Sequence, residues 1–213
     1  MEINVCTTNR PVNYLASTLE SLSPLSANVF VGHPDATYVP AANNIASTIE
    51  VGADWDQIKD APINIRGAWN YRRCLANATA DVLVFEDDII LATGWQAFLE
   101  KAIADIPEEK YLLSLYTIYP LEDTGARMQS FPNYDLGGTQ AVYYPASVRQ
   151  LVADKLQSLI DTSGGIWDWA IRDFARANDI PIYVTYPNLV QHVGVVSTIG
   201  DYQHSSPNFA EQV

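Results

Sequence analysis

Three adjacent carboxylates, Glu86, Asp87 and Asp88, follow directly on the apolar run 82–85. Side by side and unpaired, they would raise one another's pKa and oppose folding. A divalent cation removes that repulsion. Hard ions such as Mg2+ and Mn2+ take carboxylate oxygens, and Mg2+ is commonly held between one or two carboxylates and a substrate's phosphates. The run before the acids is β-branched and aromatic, without polar alternation, and reads as a strand buried on both faces, the usual condition of a central parallel strand. Such strands end at the crevice where open α/β sheets bind ligands. Side chains alternate along a strand, which sets Glu86 and Asp88 on one face and Asp87 on the other. The bland alternative is an acidic turn that merely ends the strand.

Other residues join this chemistry. Asp168 stands between Trp167 and Trp169 at the start of a helical pattern. An acid there favours the helix macrodipole whatever else it does. The flanking indoles add a second role, because aromatic faces suit sugar rings and lower the local dielectric. A less solvated carboxylate has a raised pKa and is a better general base. His192 offers a neutral imidazole, a common metal ligand, with a packing histidine as the alternative. Thr7, Thr8 and Arg10 follow the first apolar run and should face a nucleotide, where Thr8 and Arg10 can bond base, ribose or phosphate. Arg66, Asn70 and Arg73 share one helix face at spacings of four and three, within reach of a donor unless that face is simply solvated. Trp55, Trp69 and Trp95 read as core.

The elements that must carry these residues alternate in type. Residues 3–8 read as a strand, broken by Asn9-Arg10-Pro11, with Pro11 suited to the first turn of a helix. Leu15, Leu19 and Leu22 recur at helical spacing, and residues 29–31 give a second strand, a β-α-β opening with a parallel pair. Residues 33–65 are irregular, with one short strand at 45–51; such a stretch often borders a site. Residues 66–78 suit a helix before the central strand. Trp95, Phe98, Leu99, Ala102, Ile103 and Ile106 mark an amphipathic helix that Pro107 ends. A strand at 111–116, a long loop at 117–138 and a strand at 139–144 follow. Helices then run through Val148, Val152 and Leu156 and through Trp167, Ile171 and Phe174. A strand at 182–185 precedes a polar tail from 197. The pattern is α/β, one domain over residues 1–213, with residues 1–90 as the nucleotide-sugar-binding half and 91–213 as the acceptor-binding and catalytic half.

Composition narrows the class. The 213 residues suit one domain with a large core, and the hydrophobic fraction of 48% is that of a globular protein. A net charge of −13 disfavours a broad nucleic-acid surface, whose affinity rests on Lys and Arg. No signal-peptide pattern opens the chain, and no run approaches the roughly 18 apolar residues of a membrane span. A cytoplasmic enzyme of bacterial or viral origin is the expectation. Cys6 and Cys74 form no metal-ligand spacing and read as buried free thiols.

Several stretches, in order, resemble one family. V-L-V-F-E-D-D-I at 82–89 looks like the DXD-like metal-binding segment of A-type-fold (GT-A, Rossmann-like) glycosyltransferases. The likeness is nearest to the animal N-acetylglucosaminyltransferase I and IV families and to glycosyltransferase family 25. N-Y-R-R-C-L at 70–75 and Y-L-L-S-L-Y at 111–116 resemble the helix before and the strand after that motif. I-W-D-W-A-I-R at 166–172 resembles a tryptophan-flanked catalytic acid, although that family carries two acids between its tryptophans. P-N-L-V-Q-H-V-G at 187–194, with Ser197 and Thr198, is similar to the C-terminal segment of the IV family. The resemblance implies a mixed, mostly parallel sheet flanked by helices, a UDP-sugar donor such as UDP-N-acetylglucosamine, a Mn2+ or Mg2+ ion and inverting displacement. It implies Asp88 as direct metal ligand with His192 beside it, Glu86 and Asp87 on ribose or sugar, and Asp168 as base with Trp167 at the sugar. Independently of the resemblance, Asp35 follows the second strand, where it accepts from the uracil imide or is simply a turn residue, and Ser197 and Thr198 would hold the diphosphate from a loop that orders on binding. The acceptor is a hydroxyl-bearing molecule: a glycan, a protein side chain, a small molecule or a hydroxylated base in DNA. Competing classes are a nucleotidyltransferase, against which the glycine-free residues 7–11 count, and a non-catalytic carbohydrate-binding module.

Overall fold

The run of apolar residues before the acids does form the middle of a sheet. The computed structural model describes residues 1–33, 46–52, 54–131, 136–195 and 204–213. Asp35, Ser197 and Thr198 lie outside the described residues. In chain order the elements are β1 (Glu2–Thr7), α1 (Leu15–Leu22), β2 (Ala27–Val31), β3 (Ala46–Val51), α2 (Trp55–Ile58), α3 (Ile63–Ala76), β4 (Val82–Glu86), β5 (Ile89–Leu91), α4 (Trp95–Ala104), β6 (Leu112–Ser114), β7 (Met128–Ser130), β8 (Ala141–Tyr144), α5 (Ala146–Asp161), α6 (Trp167–Ala177), β9 (Ile182–Thr185) and β10 (Val190–His192).

Eight strands make one sheet in the order β3-β2-β1-β4-β8-β6-β9-β7, and β5 and β10 form a separate two-stranded ribbon. The β3-β2-β1-β4 half is parallel throughout. β8 enters antiparallel to both β4 and β6, so β4 is parallel to its neighbour on one side only. β4 still reads correctly as buried, because both of its faces are covered. Leu83 and Phe85 pack with Leu15, Leu19, Trp95 and Leu99 from α1 and α4. Val82 and Val84 pack with Tyr71 and Leu75 of α3, Val148 and Val152 of α5 and Ile171 of α6. Burying such a side chain contributes about 1.5–3 kcal/mol, which is why an unbroken apolar run selects this position.

Some expectations shift. Pro11 lies ahead of α1 rather than in its first turn, because α1 begins only at Leu15. The loop at 117–138 contains the edge strand β7, paired antiparallel to β9. Residues 204–213 of the polar tail are tied down by bridges from Asn188 to Phe209 and from Thr93 to Gln212. Cys6 and Cys74 are both free thiols, Cys74 buried and Cys6 half-buried. Among the described residues no helix is long and apolar enough to cross a membrane.

Candidate active site at the carboxyl ends of the parallel strands

The acidic motif is held from three sides. Thr18, buried on α1, accepts the Ile89 N–H at 3.1 Å, and its own hydroxyl lies 2.8 Å from the Asp87 carbonyl, fixing the bend after β4. The ribbon pairs His192 opposite Ile89, and the Val193 N–H donates to the Asp88 carbonyl at 2.8 Å. The third support is Arg10, just after β1. Its NH2 group lies 2.5 Å from Asp87 Oδ1 and its NH1 group 2.6 Å from Asp88 Oδ2. One guanidinium therefore bridges two of the three acids, and the mutual repulsion read from the sequence is met first by a protein cation. The carboxylates hold the Arg10 pKa above its ordinary value although burial works against the charge.

Each acid has a different environment. Asp87 is buried, with Oδ2 accepting from Thr7 at 2.5 Å and Oδ1 held by Arg10, so its oxygens face protein groups. Burial pushes its pKa up to about 6 although Arg10 and Thr7 pull the other way. Glu86 faces the cavity; its Oε1 accepts from Thr139 at 2.7 Å, and Thr139 Oγ1 in turn accepts from the Trp167 indole at 2.9 Å. Burial, with the nearby charge of Asp88, pushes Glu86 up to about 7. Glu86 and Asp88 line the cavity and Asp87 does not, the division that strand alternation predicts.

Asp88 and His192 are the pair suited to a cation. His192 Nδ1 lies 2.9 Å from the His204 carbonyl, which only accepts, so Nδ1 carries a proton. That leaves Nε2, 3.0 Å from Asp88 Oδ2, free to face a cation or to be protonated itself. Burial opposes the imidazolium, but Asp88 outweighs it and raises the His192 pKa; burial likewise opposes the Asp88 carboxylate, but His192 and Arg10 outweigh it and lower the Asp88 pKa. Asp88 Oδ1 is buried without a hydrogen-bond partner among the described residues. A Cβ on Gly194 would lie 2.3 Å from Asp88 Oδ2 and 2.9 Å from His192 Nε2, so the space beside the pair stays open only because residue 194 has no side chain. These donors fit a hard divalent ion. Among the described residues no group of three or more His, Cys, Asp or Glu side chains could hold a metal unaided, so the remaining ligands would come from substrate or water.

The cavity has a volume of about 700 Å3 and opens where β1, β2 and β4 end. Thr7, Thr8, Arg10, Arg66, Asn70, Glu86, Asp88, Trp167, Asp168 and His192 all line it. Asp168 is in the first turn of α6, and its Oδ1 accepts the Trp169 backbone N–H at 2.8 Å. Trp167 sits over Gly67, where a Cβ would meet the indole at 2.8 Å. That close approach brings the start of α6 against α3 and aims Asp168 into the cavity. Trp167 and Trp169 both line the cavity beside Asp168, although Trp169 is 55% exposed.

The structure separates the α3 residues. Arg73 does not reach the cavity. Its guanidinium stacks 4.8 Å from the Trp69 ring and donates to the Val31 carbonyl at 3.1 Å, because its turn of α3 lies over β2. Asn70 lines the cavity, but its amide donates to the Thr7 and Phe30 carbonyls, both at 2.9 Å, and so fastens the ends of β1 and β2. Trp55, which reads as core in the sequence, instead lines the cavity: it forms a wall with His33, ring centroids 5.2 Å apart, and Arg66 lies 6.0 Å over the Trp55 ring. Thr139 and Tyr119 complete the far side. Trp55 was legible only as an aromatic in an irregular stretch, and Thr139 carried no signal beyond following two glycines.

No family model matches the sequence, and no curated protein matches it. Solved structures do share the fold. One is a nucleotidyl transferase from Methanothermobacter thermautotroptrophicus, at 13% identity and a TM-score of 0.51, covering 86% of this chain and 85% of that one. A second is a glycosyltransferase involved in the glycosylation of the major capsid of PBCV-1, at 11% identity and a TM-score of 0.50, covering 92% and 95%. A third is S. aureus TarS 1-349, at 14% identity and a TM-score of 0.51, covering 87% of this chain and 60% of that one. At these identities the likeness is one of fold, and the finer likeness to N-acetylglucosaminyltransferases rests on sequence motifs alone. The chain has the mixed, mostly parallel α/β architecture, with helices on both faces, of GT-A-like proteins.

Proposed function

We propose that this protein is a divalent-cation-dependent, inverting glycosyltransferase that moves a sugar from a UDP-sugar, with UDP-N-acetylglucosamine as a candidate donor, to a glycan hydroxyl. The observation that carries the reading is that Asp88, His192 and Asp168 line one cavity at the carboxyl ends of β1, β2 and β4. Open α/β sheets bind nucleotides at that position.

Asp88 and His192 would hold the cation, which when bound neutralises charge developing on the leaving diphosphate. Arg10 and Arg66 add fixed positive charge on the same cavity wall. Trp55 offers a flat face to a base or sugar ring. Glu86, oriented by Thr139, accepts a hydrogen bond from a sugar hydroxyl. Asp168 has Oδ1 held by the Trp169 N–H, and its carboxylate lines the cavity where an acceptor would enter. The acceptor O–H gives its proton to the Asp168 carboxylate. Its oxygen bonds to the anomeric carbon as the bond from that carbon to the phosphate oxygen breaks, and UDP leaves. One displacement inverts the anomeric centre. The net charge of −13 weighs against a DNA acceptor.

Nucleotidyl transfer is the second reading, because a nucleotidyl transferase shares the fold. Residues 7–11 contain no glycine with which to wrap a triphosphate, and Asp168 would have no part in that chemistry.

The test is UDP release from a panel of UDP-sugars with Mn2+ and with EDTA, for the wild type, Asp88→Ala and Asp168→Asn. Slow donor hydrolysis requires no known acceptor. The expected result is turnover of one UDP-sugar that disappears with EDTA and in Asp88→Ala. Failure to bind UDP at millimolar concentration, with or without Mn2+, overturns the reading.

A further inference from the structure

We propose that Arg10 is an exchangeable counter-cation that couples cation binding to nucleotide binding in this cavity. The inference rests on the functional reading above. Arg10 NH1 lies 2.6 Å from Asp88 Oδ2, the oxygen that also faces His192 Nε2 at 3.0 Å. A divalent ion held by that oxygen and that nitrogen competes directly with the guanidinium. The other end of the fork is anchored separately, NH2 on Asp87 Oδ1 at 2.5 Å. Asp87 is itself fixed by Thr7, so it can act as a pivot.

Arg10 is not fully engaged by this bridge. Its Nε is buried and has no partner among the described residues, although a guanidinium presents five donors. Arg10 lines the cavity while Asp87 does not, so a ligand entering the cavity meets the guanidinium rather than Asp87. An entering diphosphate gives Arg10 a second anion. Arg10 then leaves Asp88 and keeps Asp87. The cation frees Arg10 for phosphate, and phosphate frees Asp88 for the cation. By linkage each ligand tightens the other by the same factor. The apo protein keeps its acids paired, and the two ligands enter as a unit.

The experiment measures Mn2+ binding by the loss of the free-ion electron paramagnetic resonance signal, and UDP binding by calorimetry with and without Mn2+. The proteins are the wild type, Arg10→Met and Arg66→Met. Without nucleotide, Arg10→Met is expected to bind Mn2+ about tenfold more tightly than the wild type, since its competitor is gone. The same variant is expected to bind UDP about tenfold more weakly in Mn2+, and the factor by which Mn2+ tightens UDP shrinks. Arg66→Met, which removes a cavity charge that does not touch Asp88, should weaken UDP and leave Mn2+ affinity within about twofold. A general electrostatic effect would move Mn2+ affinity equally in both variants and overturns the exchange. Unchanged or weaker Mn2+ binding by a folded Arg10→Met also overturns it, and makes Arg10 a permanent strut. Should Arg10→Met fail to fold, Arg10→Lys keeps the charge but cannot bridge both acids as a fork, and its Mn2+ affinity should still rise. Absence of UDP binding by the wild type with Mn2+ sinks the underlying functional reading instead.

Discussion

His192 Nε2 faces Asp88 Oδ2 at 3.0 Å beside a space that any side chain at residue 194 would fill. The pair is 104 positions apart in the chain and is brought together by the ribbon of β5 and β10. Gly194→Val puts carbon into that space. Overpacking of this kind costs about 1–3 kcal/mol, so the variant should unfold at lower urea concentration. It should also lose the Mn2+-induced rise in melting temperature expected of the wild type with UDP present. A melting temperature that still rises equally with Mn2+ and UDP places the cation elsewhere.

Stability should fall as pH rises in the absence of divalent ions. Glu86 has a folded pKa of about 7 against an ordinary 4.5, so between those values the folded state holds a proton that the unfolded chain has released. For a carboxyl raised on folding, that means full stability below the unfolded pKa and a growing penalty up to the folded one, on the order of 3 kcal/mol in all. His192 acts in the same direction, because its raised pKa contributes stability that is lost as pH rises through it. Urea midpoints in EDTA at pH 5, 6, 7 and 8 should decline, and Glu86→Gln should flatten the decline. A rising wild-type series would contradict a buried Glu86 that keeps its proton to about pH 7.

Thr139 carries a directional chain, with the Trp167 indole donating to its hydroxyl and that hydroxyl donating to Glu86. Thr139→Val breaks both bonds with little change of shape. Each group left buried and unpaired costs about 1–3 kcal/mol, whereas Thr139→Ser retains the oxygen and should lie close to the wild type. Donor hydrolysis should fall in the valine variant more than UDP affinity does, because the hydroxyl orients Glu86 and α6 and need not touch the nucleotide. Equal stability of the valine and serine variants would remove the chain from the account.

What could be read from the sequence depended on whether its signal was local. The burial of β4 follows from one uninterrupted apolar run, and α1, α4 and α5 follow from helical periodicity. β5 and β10 are three residues each, and their pairing joins residues about a hundred positions apart, so no local pattern marks them. The Arg10 bridge spans 77 and 78 positions and was equally invisible, which is why the three acids read as needing a metal before any protein cation. Arg66, Asn70 and Arg73 do share a spacing, but along α3 that face passes from the cavity to a position over β2, and periodicity cannot say where the transition falls. Asp168 and His192 were legible through their neighbours, the two indoles and the Q-H-V-G stretch.

Asp168→Asn separates binding from proton transfer. The amide oxygen can still accept the Trp169 N–H, and the side chain keeps its shape, so α6 and the cavity wall should remain as they are. A general base typically contributes about a hundred- to ten-thousandfold, and the variant should lose turnover in that range with an acceptor present. Its UDP affinity in Mn2+ should stay within about threefold, since no role in charge neutralisation is assigned to Asp168. Donor hydrolysis by water should fall less than transfer, because water is present in excess and other cavity groups can orient it. A variant that transfers sugar at the wild-type rate would dismiss Asp168 as base. Glu86, with its raised pKa and its place in the same cavity, would then be the next carboxylate to replace.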